Sequence, residues 1–353
     1  MGRIKVAVVG VGNCCSALVQ GVYAYKDHGE VVGLMHEVFG GYTLADIEFV
    51  AAFDVDARKV GRDLSEAIFV EPNCYDKVYN VPRTGVTVKM GEVKDGVGEY
   101  ISEHVKVSEE KPVDVARELK DAGAEVVVNL IPTGGVEASR WYAEQALKAG
   151  CAFINATPAE IAVSSEWASR FQSAGLPLVG DDLMDQAGAT VLYKALLEFL
   201  VKRGVRVEET YQLDIGGGLE ALNTLQKDRG DFKRHVKTAA VKASLPYEVP
   251  IVAGTTDYVS FMRNSRASYF WVKGSYFNGA PIKIDIFLNT VDAPNAAGIL
   301  VDVIRGVKLA MDKRMSGVIF PLCAYGFKRP PAPVRLAEAD KLIAEFLGNS
   351  SEH

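Results

Sequence analysis

Cysteine and histidine are scarce in this chain of 353 residues, with five of each. The cysteines, Cys14, Cys15, Cys74, Cys151 and Cys323, are odd in number and form no C-x-x-C pair. That argues against a disulfide framework and against a thiolate zinc site, and leaves them to pack as small hydrophobes. His28, His36, His104, His235 and His353 are scattered without ligand spacing, so no histidine metal centre is expected. Basic excess is lacking too: 39 lysines and arginines stand against 45 acids, a net charge of −6. Without a positive field to release counterions, no nucleic-acid partner is expected. No apolar run reaches the roughly 18 to 20 residues that cross a bilayer. The start, Met1 to Val6, leads into a strand with no signal-peptide layout and no Ser or Thr at position six for myristoylation. The expectation is a cytoplasmic protein without a membrane partner. The 33 glycines and 14 prolines form no tract, so disorder is expected only in the tail Asn349 to His353.

What is present is the composition of a globular protein, 48% hydrophobic and 24% charged, long enough for two packed regions. Arg3 to Val9 is valine-rich and suits a strand buried on both faces, with a helix following from about Asn13. Ile47 to Phe53 is a second strand. "EVVVNLIPTGG", "CAFINATP" and "LPLVGDD" are further strands, alternating with helices in "VEASRWYAEQALKAG", "SSEWASRFQSAG" and Gln186 to Arg203. Such alternation means a parallel sheet with right-handed crossovers. Asn73 to Val107, rich in proline and glycine, interrupts it as an insertion of loops and short hairpins.

After Gly204 the texture changes to period-two alternation with aromatics, in "VRVEETYQLDI", "YVSFMRNSRASYFWVKGSYFN" and "PIKIDIFLNTV". The fold class expected is α/β: a Rossmann-type doubly wound parallel sheet with an inserted mixed α/β second domain. The dinucleotide domain would span residues 1–204, rejoined by 291–353, and the catalytic and oligomerisation domain 205–290.

The stretch "VAVVGVGNCCSALVQG" suits a pyrophosphate. Gly10 permits the sharp turn, Gly12 lets the backbone approach, and the helix beyond offers free N–H groups. Cys15 stands where the third glycine of G-x-G-x-x-G would fall. Asp54 ends the next strong strand, where a carboxylate accepts from ribose hydroxyls and repels a 2′-phosphate, which favours NAD. Its late position requires "DHGEVVGLMHEVFGGYTLAD" to be an insertion. Elsewhere Lys233 and Lys237 stand four apart, on one face if helical, beside Arg234 and His235. Lys328 follows an aromatic stretch, and Asp292 and Asn295 flank a proline. Cations gathered near a nicotinamide would suit a phosphorylated substrate and an enolate, while solvated surface lysines are the other reading.

Five stretches, "GVGNCCSALVQG", "FVAAFDVDARKVGRDLSEAI", "GDDLMDQAGAT", "DFKRHVKTAAV" and "VDAPNAAGILVDVIR", resemble the inositol-1-phosphate synthase family in its shorter archaeal and actinobacterial form. The resemblance runs in order from about Ile4 to about Pro330. It implies isomerisation of D-glucose 6-phosphate to 1L-myo-inositol 1-phosphate with catalytic NAD. In such enzymes the sugar is oxidised at C5, the enolate closes the ring on C1, and the ring is reduced again with no net redox change. Gly10, Gly12, Asn13, Cys14, Asp54, Pro132 and Thr133 would hold the cofactor, with Asp181 and Asp182 near the nicotinamide. Lys233 and Lys237 would hold the phosphate and the developing oxyanion, and Lys328 would serve the C5 oxygen and proton transfers. Asp292 would orient a lysine or substrate hydroxyls. A homotetramer, formed through the second domain, is implied as well, and members of this form often need a divalent metal. Any such ion would sit on carboxylates, phosphate and water.

The chain departs from that family at several places. The usual Lys-Ser after Gly-Asp-Asp is Met184 and Asp185, a usual lysine is Arg266, and the asparagine after Gly-Gly is Gly218, although Asn223 remains. Arginine grips phosphate but cannot shuttle a proton. These changes leave open a paralogue acting on a related sugar phosphate, or a non-catalytic NAD-binding sensor.

Overall fold

The computed structural model describes residues 2–348, so the tail Asn349 to His353 lies outside the described residues. Six strands come first: β1 (Ile4–Val9), β2 (Ile47–Asp54), β3 (Val88–Met90), β4 (Val126–Asn129), β5 (Ala152–Asn155) and β6 (Pro177–Val179). β7 (Arg206–Gly216), β8 (Ile251–Tyr258), β9 (Ser265–Tyr276) and β10 (Ala280–Val291) make a separate sheet, ordered β10-β9-β7-β8. β11 (Gly317–Val318) then returns to the first, a parallel sheet ordered β11-β6-β5-β4-β1-β2-β3. The second sheet is mixed: β9 pairs antiparallel with β7 and β10, while β8 runs parallel to β7.

The helices are α1 (Asn13–His28), α2 (Leu64–Ala67), α3 (Glu99–Ser102), α4 (Val115–Asp121), α5 (Val136–Ala149) and α6 (Ser165–Ser173), followed by α7 (Ala189–Lys202), α8 (Leu219–Asn223) and α9 (Lys227–Lys242). α10 (Asp292–Asp312), α11 (Phe320–Gly326) and α12 (Leu336–Leu347) complete the chain.

The valine run of β1 is apolar on both faces because both faces are covered. Ile4, Val6 and Val8 pack with Leu18 and Val22 of α1 and Leu300 and Ile304 of α10. Ala7 and Val9 pack on the other side with Leu119 of α4 and Ala143 and Ala146 of α5. Each fully buried side chain of this kind contributes about 1.5 to 3 kcal/mol. Leu18→Ala would therefore cost about 2 to 5 kcal/mol, cavity included. Cys15, fully buried beside Val11 and Leu18, does the work asked of a third glycine by being small.

Several local expectations need correction. The helix from Gln186 begins at Ala189, because residues 186–188 are drawn into a turn by α10: Asn295 accepts from Gln186 N through its carbonyl and from Ala187 N through its side chain. In the insertion from Asn73 to Val107 the described residues form no hairpin, and β3 instead adds a parallel edge strand beside β2. The other insertion, between α1 and β2, is held by the buried Arg305 of α10, whose guanidinium donates to the carbonyls of His36, Glu37 and Tyr42.

β1 and β4 are neighbours in the sheet, yet the chain runs outward from β1 through β2 to β3 and, on the other side, from β4 through β5 to β6. That reversal opens a crevice beyond the carboxyl ends of the strands.

Candidate active site

The crevice is a cavity of about 320 Å³. At one end lies the glycine loop. Gly10 has φ +88°, and a β-carbon there would come within 2.9 Å of the Leu130 backbone. Gly12 caps α1 with no side-chain hydrogen bond, and a β-carbon on it would meet nothing within 4 Å. The first-turn N–H groups of α1 therefore face open space, the arrangement that accepts an anion. Asp54, at the end of β2, accepts from Val11 N at 2.7 Å, Val55 N at 2.7 Å and Asp56 N at 2.9 Å, which fixes its carboxylate beside the loop. Asn13 lines the cavity too, and its Oδ1 accepts from Cys74 N and Tyr75 N, which ties the insertion down over the loop. Cys14 lines the cavity, with burial first and then nearby carboxylates pushing its thiol up to about 12.

The other end is ionic. Lys233 and Lys237 lie on the buried face of α9, whereas Arg234 and His235 are exposed. Lys233 Nζ donates to Asp182 Oδ1 at 2.9 Å and lies 3.3 Å from Glu220 Oε1. Lys237 Nζ donates to Asp214 Oδ2 at 2.6 Å, and Gln212 donates to both oxygens of the same carboxylate. Arg266, on β9, grips Asp292 through two parallel bonds of 2.8 Å and reaches Glu220 at 3.3 Å. Lys328 Nζ donates to the Leu183 carbonyl at 2.5 Å and lies 3.5 Å from Asp182. Pro132 and Thr133 line the cavity between the two ends, where Thr133 Oγ1 donates to Glu220 and its carbonyl accepts from Asn223 and Arg229.

The ionisations follow from this crowding. Burial alone would push the Asp182 and Asp214 carboxyls up, but Lys233 and Lys328 hold Asp182, and Lys237 and Arg266 hold Asp214, below the usual carboxylate range. Lys233, foremost, also holds Glu220 low. For Lys237, burial together with repulsion from Arg266, Lys233 and Lys328 outweighs Asp214, and its ammonium is pushed down.

Every expected site residue but one lines this cavity. Asp181 does not. Its carboxylate is fully buried and accepts from Asn155 and from the backbone N–H groups of Ile161, Ala162 and Val163, while burial pushes it up to about 6. It braces the turn that presents Asp182, itself at φ +59°. Met184 is buried and outside the cavity lining, whereas Asp185 lines it. Gly218 caps α8, and the buried Asn223 holds Thr133 in place. Glu220 and Asp214 were not foreseen. In hindsight the only signal was their flanking of a Gly-Gly-Gly run in "LDIGGGLEALN".

Fold and site together define an α/β enzyme of Rossmann-like architecture whose strand-end cavity pairs a glycine loop with a lysine–carboxylate cluster. Residues 188–293 match the family described as myo-inositol-1-phosphate synthase. The chain is 42% identical over 339 residues to an inositol-3-phosphate synthase of Corynebacterium glutamicum, covering 93% of each protein. It is 42% identical over 340 residues to that of Mycolicibacterium smegmatis, covering 94% of each. A myo-inositol-1-phosphate synthase-related protein of Thermotoga maritima shares the fold, with a TM-score of 0.81 over 98% of both chains at 23% identity. The chain belongs to the inositol-1-phosphate synthase family, whose members are isomerases of the intramolecular lyase type. Among the described residues no helix is long and apolar enough to cross a membrane.

Proposed function

We propose that this protein is an inositol-1-phosphate synthase that isomerises D-glucose 6-phosphate to 1L-myo-inositol 1-phosphate and uses NAD catalytically. The observation that carries the reading is the meeting in one cavity of the Gly10–Gly12 loop and Asp54 with Lys233, Lys237, Arg266 and Lys328. The uncapped start of α1 fits a pyrophosphate, and Asp54 fits ribose hydroxyls. Asn13, Cys14, Pro132 and Thr133 would complete the dinucleotide site, with Asp182 toward the nicotinamide and Asp181 as its brace. When bound, the dinucleotide accepts and returns one hydride.

The chain's own groups serve the substrate. Lys237 and Lys233 hold the phosphate and the oxyanion of the enolate, since a fixed ammonium in a dry cavity stabilises such charge without reorganising. Lys328, anchored on the Leu183 carbonyl, would serve the oxygen at C5. Arg266, always charged, adds grip and no proton transfer, and Asp292 orients it through the bidentate contact. Among the described residues no group of three ligating side chains is placed to hold a metal, and Asp182, Asp214, Glu220 and Asp292 are each engaged with cations, so a divalent ion would take most of its oxygens from phosphate and water.

The same reading divides the chain into a dinucleotide domain, 1–204 with 291–353, and a catalytic domain, 205–290. The outer face of the second sheet, where Tyr211 stacks on Trp271 beside Tyr269 and the exposed Phe287 and Leu213, is the surface for a homotetramer. A cytoplasmic location belongs to the same proposal.

The test is to incubate the pure protein with NAD and labelled glucose 6-phosphate, following products by NMR and reduced nicotinamide by absorbance. Inositol 1-phosphate without accumulating reduced nicotinamide supports the reading. Net accumulation would mark a dehydrogenase, and unchanged sugar with turnover of another sugar phosphate would move the substrate.

A further inference from the structure

The cations of the cavity are all bonded. Lys233 is taken by Asp182 and Glu220, Lys237 by Asp214, Arg266 by Asp292 and Glu220, and Lys328 by the Leu183 carbonyl with Asp182 beyond. The carboxylates Asp182, Asp214, Glu220 and Asp292 are spent in the same pairs. Asp185 is different: it lines the cavity, and its carboxylate has no hydrogen-bond or ion-pair partner among the described residues.

It is nonetheless held rigidly. Met184 N on one side donates to the Gly326 carbonyl at 2.8 Å. On the other, Gln186 N and Ala187 N donate to the carbonyl and side chain of Asn295 at 3.0 and 2.7 Å. Glycine at position 188 makes the room, since a β-carbon there would meet Asp185 Cβ at 2.6 Å and Oδ2 at 2.9 Å. A free carboxylate with both flanks pinned, in a cavity built to take a polyol, is among the described residues the one lining carboxylate that can change protonation without breaking an ion pair.

We propose that Asp185 is a proton acceptor of the reaction, taking the proton of the substrate hydroxyl that is oxidised and returning it when the ring is reduced. The proposal rests on the synthase reading above. In the forward step the O–H bond breaks and its proton goes to Asp185, while the carbon's hydrogen leaves with its electron pair to the dinucleotide. On re-reduction both return, and no other oxidant or acid is required. The groups that face Asp185 are Cys14 from α1, Glu220 from α8, Lys233 from α9, Arg266 from β9, Asp292 from α10 and Lys328 after α11. Burial, with Asp292 and Glu220, pushes its carboxyl up against the pull of Lys328 and Arg266. A rise in that direction suits a general base.

Asp185→Asn keeps the shape and removes the base. For glucose 6-phosphate, kcat should fall by about a hundredfold or more, while KM and the affinity for NAD stay within about threefold. The acidic limb of the wild-type kcat profile should vanish in Asp185→Asn, and Asp185→Glu should restore part of the rate with that limb moved. A variant keeping kcat within threefold, or the wild-type acidic limb, overturns the proposal. Calorimetric titration of the NAD complex with glucose 6-phosphate, in two buffers of different ionisation heat, reads the same carboxylate without turnover. Phosphate charge entering the cavity should draw a proton onto Asp185, and this uptake, followed across a series of pH values, should be lost in Asp185→Asn; uptake equal in both proteins overturns the proposal. A wild-type protein that binds the sugar with proton uptake but forms no inositol phosphate would fail the synthase reading and leave the assignment of the carboxylate standing.

Discussion

At the scale of single residues the site separates into groups that hold the dinucleotide and groups that act on the substrate. Asp54 belongs to the first, fixed by three backbone N–H donors at the end of β2. Lys328 belongs to the second, some distance along the cavity and anchored to Leu183. Lys328→Ala should therefore abolish turnover with NAD binding, followed by fluorescence quenching, nearly unchanged. Asp54→Ala should weaken NAD first, and equal losses of NAD affinity in both variants would show Lys328 misplaced. The buried pair Lys237–Asp214 offers a test of stability. Lys237→Ala strands a buried carboxylate and should cost about 3 to 5 kcal/mol in urea unfolding, whereas Lys237→Met with Asp214→Leu should regain much of that. Neither protein should turn over. The sequence made the lysines legible because a spacing of four puts both on one helical face. It hid Glu220 and Asp214, because nothing in a run of three glycines says which flanking acid turns inward. Asp181 misled for a related reason: adjacent residues on a turn point apart, and only the fold decides which carboxylate meets the cavity.

Elements were legible where both faces are covered, as in β1, β4 and β5, since continuous apolar runs leave little choice. The segment from Asn73 to Val107 was not, because its short β3 depends on pairing with β2 and its loops on single carboxylates. Asp63 shows how. It caps α2 by accepting from Ser65 N at 2.9 Å, and it also accepts from Thr84 N at 3.0 Å and Gly85 N at 2.8 Å, joining two loops that lead to β3. Burial pushes its carboxyl up, but the bonds from Ser65 and Thr84 win and bring it down to about 2. Asp63→Ala should cost about 0.5 to 2 kcal/mol for the cap alone, and more for the Thr84 and Gly85 donors left behind. Hydrogen exchange should show the loss as faster exchange confined to residues around 63–90. Protection unchanged there would mean that packing of Leu64 and Val88, and no carboxylate, holds this region.

For the whole molecule the site's ionisations set how stability responds to pH, and two groups of carboxylates pull in opposite directions. Asp182, Asp214 and Glu220 are held below the usual carboxylate range, so the stability they contribute is complete above that range and is lost as pH falls through their folded values. Asp181 is pushed up to about 6 from 3.8, so its contribution is complete below its unfolded value and is lost as pH rises through about 6. At about 1.4 kcal/mol per unit the Asp181 term is on the order of 3 kcal/mol. Wild-type stability should therefore decline below about pH 4, where three lowered groups take protons, and should carry an opposing downward slope above about pH 4 from the raised carboxyls, to which Asp181 contributes up to about pH 6 beside Asp185 and Asp340. Asp181→Asn separates the terms. Its absolute stability should drop, because an amide nitrogen would then face the N–H groups of Ile161, Ala162 and Val163. The slope between pH 4 and 6, read from urea midpoints at fixed ionic strength, should flatten in the variant while the acid decline persists. An unchanged slope would mean that the four donors around Asp181 keep it ionised throughout, and that the brace under Asp182 carries its charge at every pH at which the protein folds.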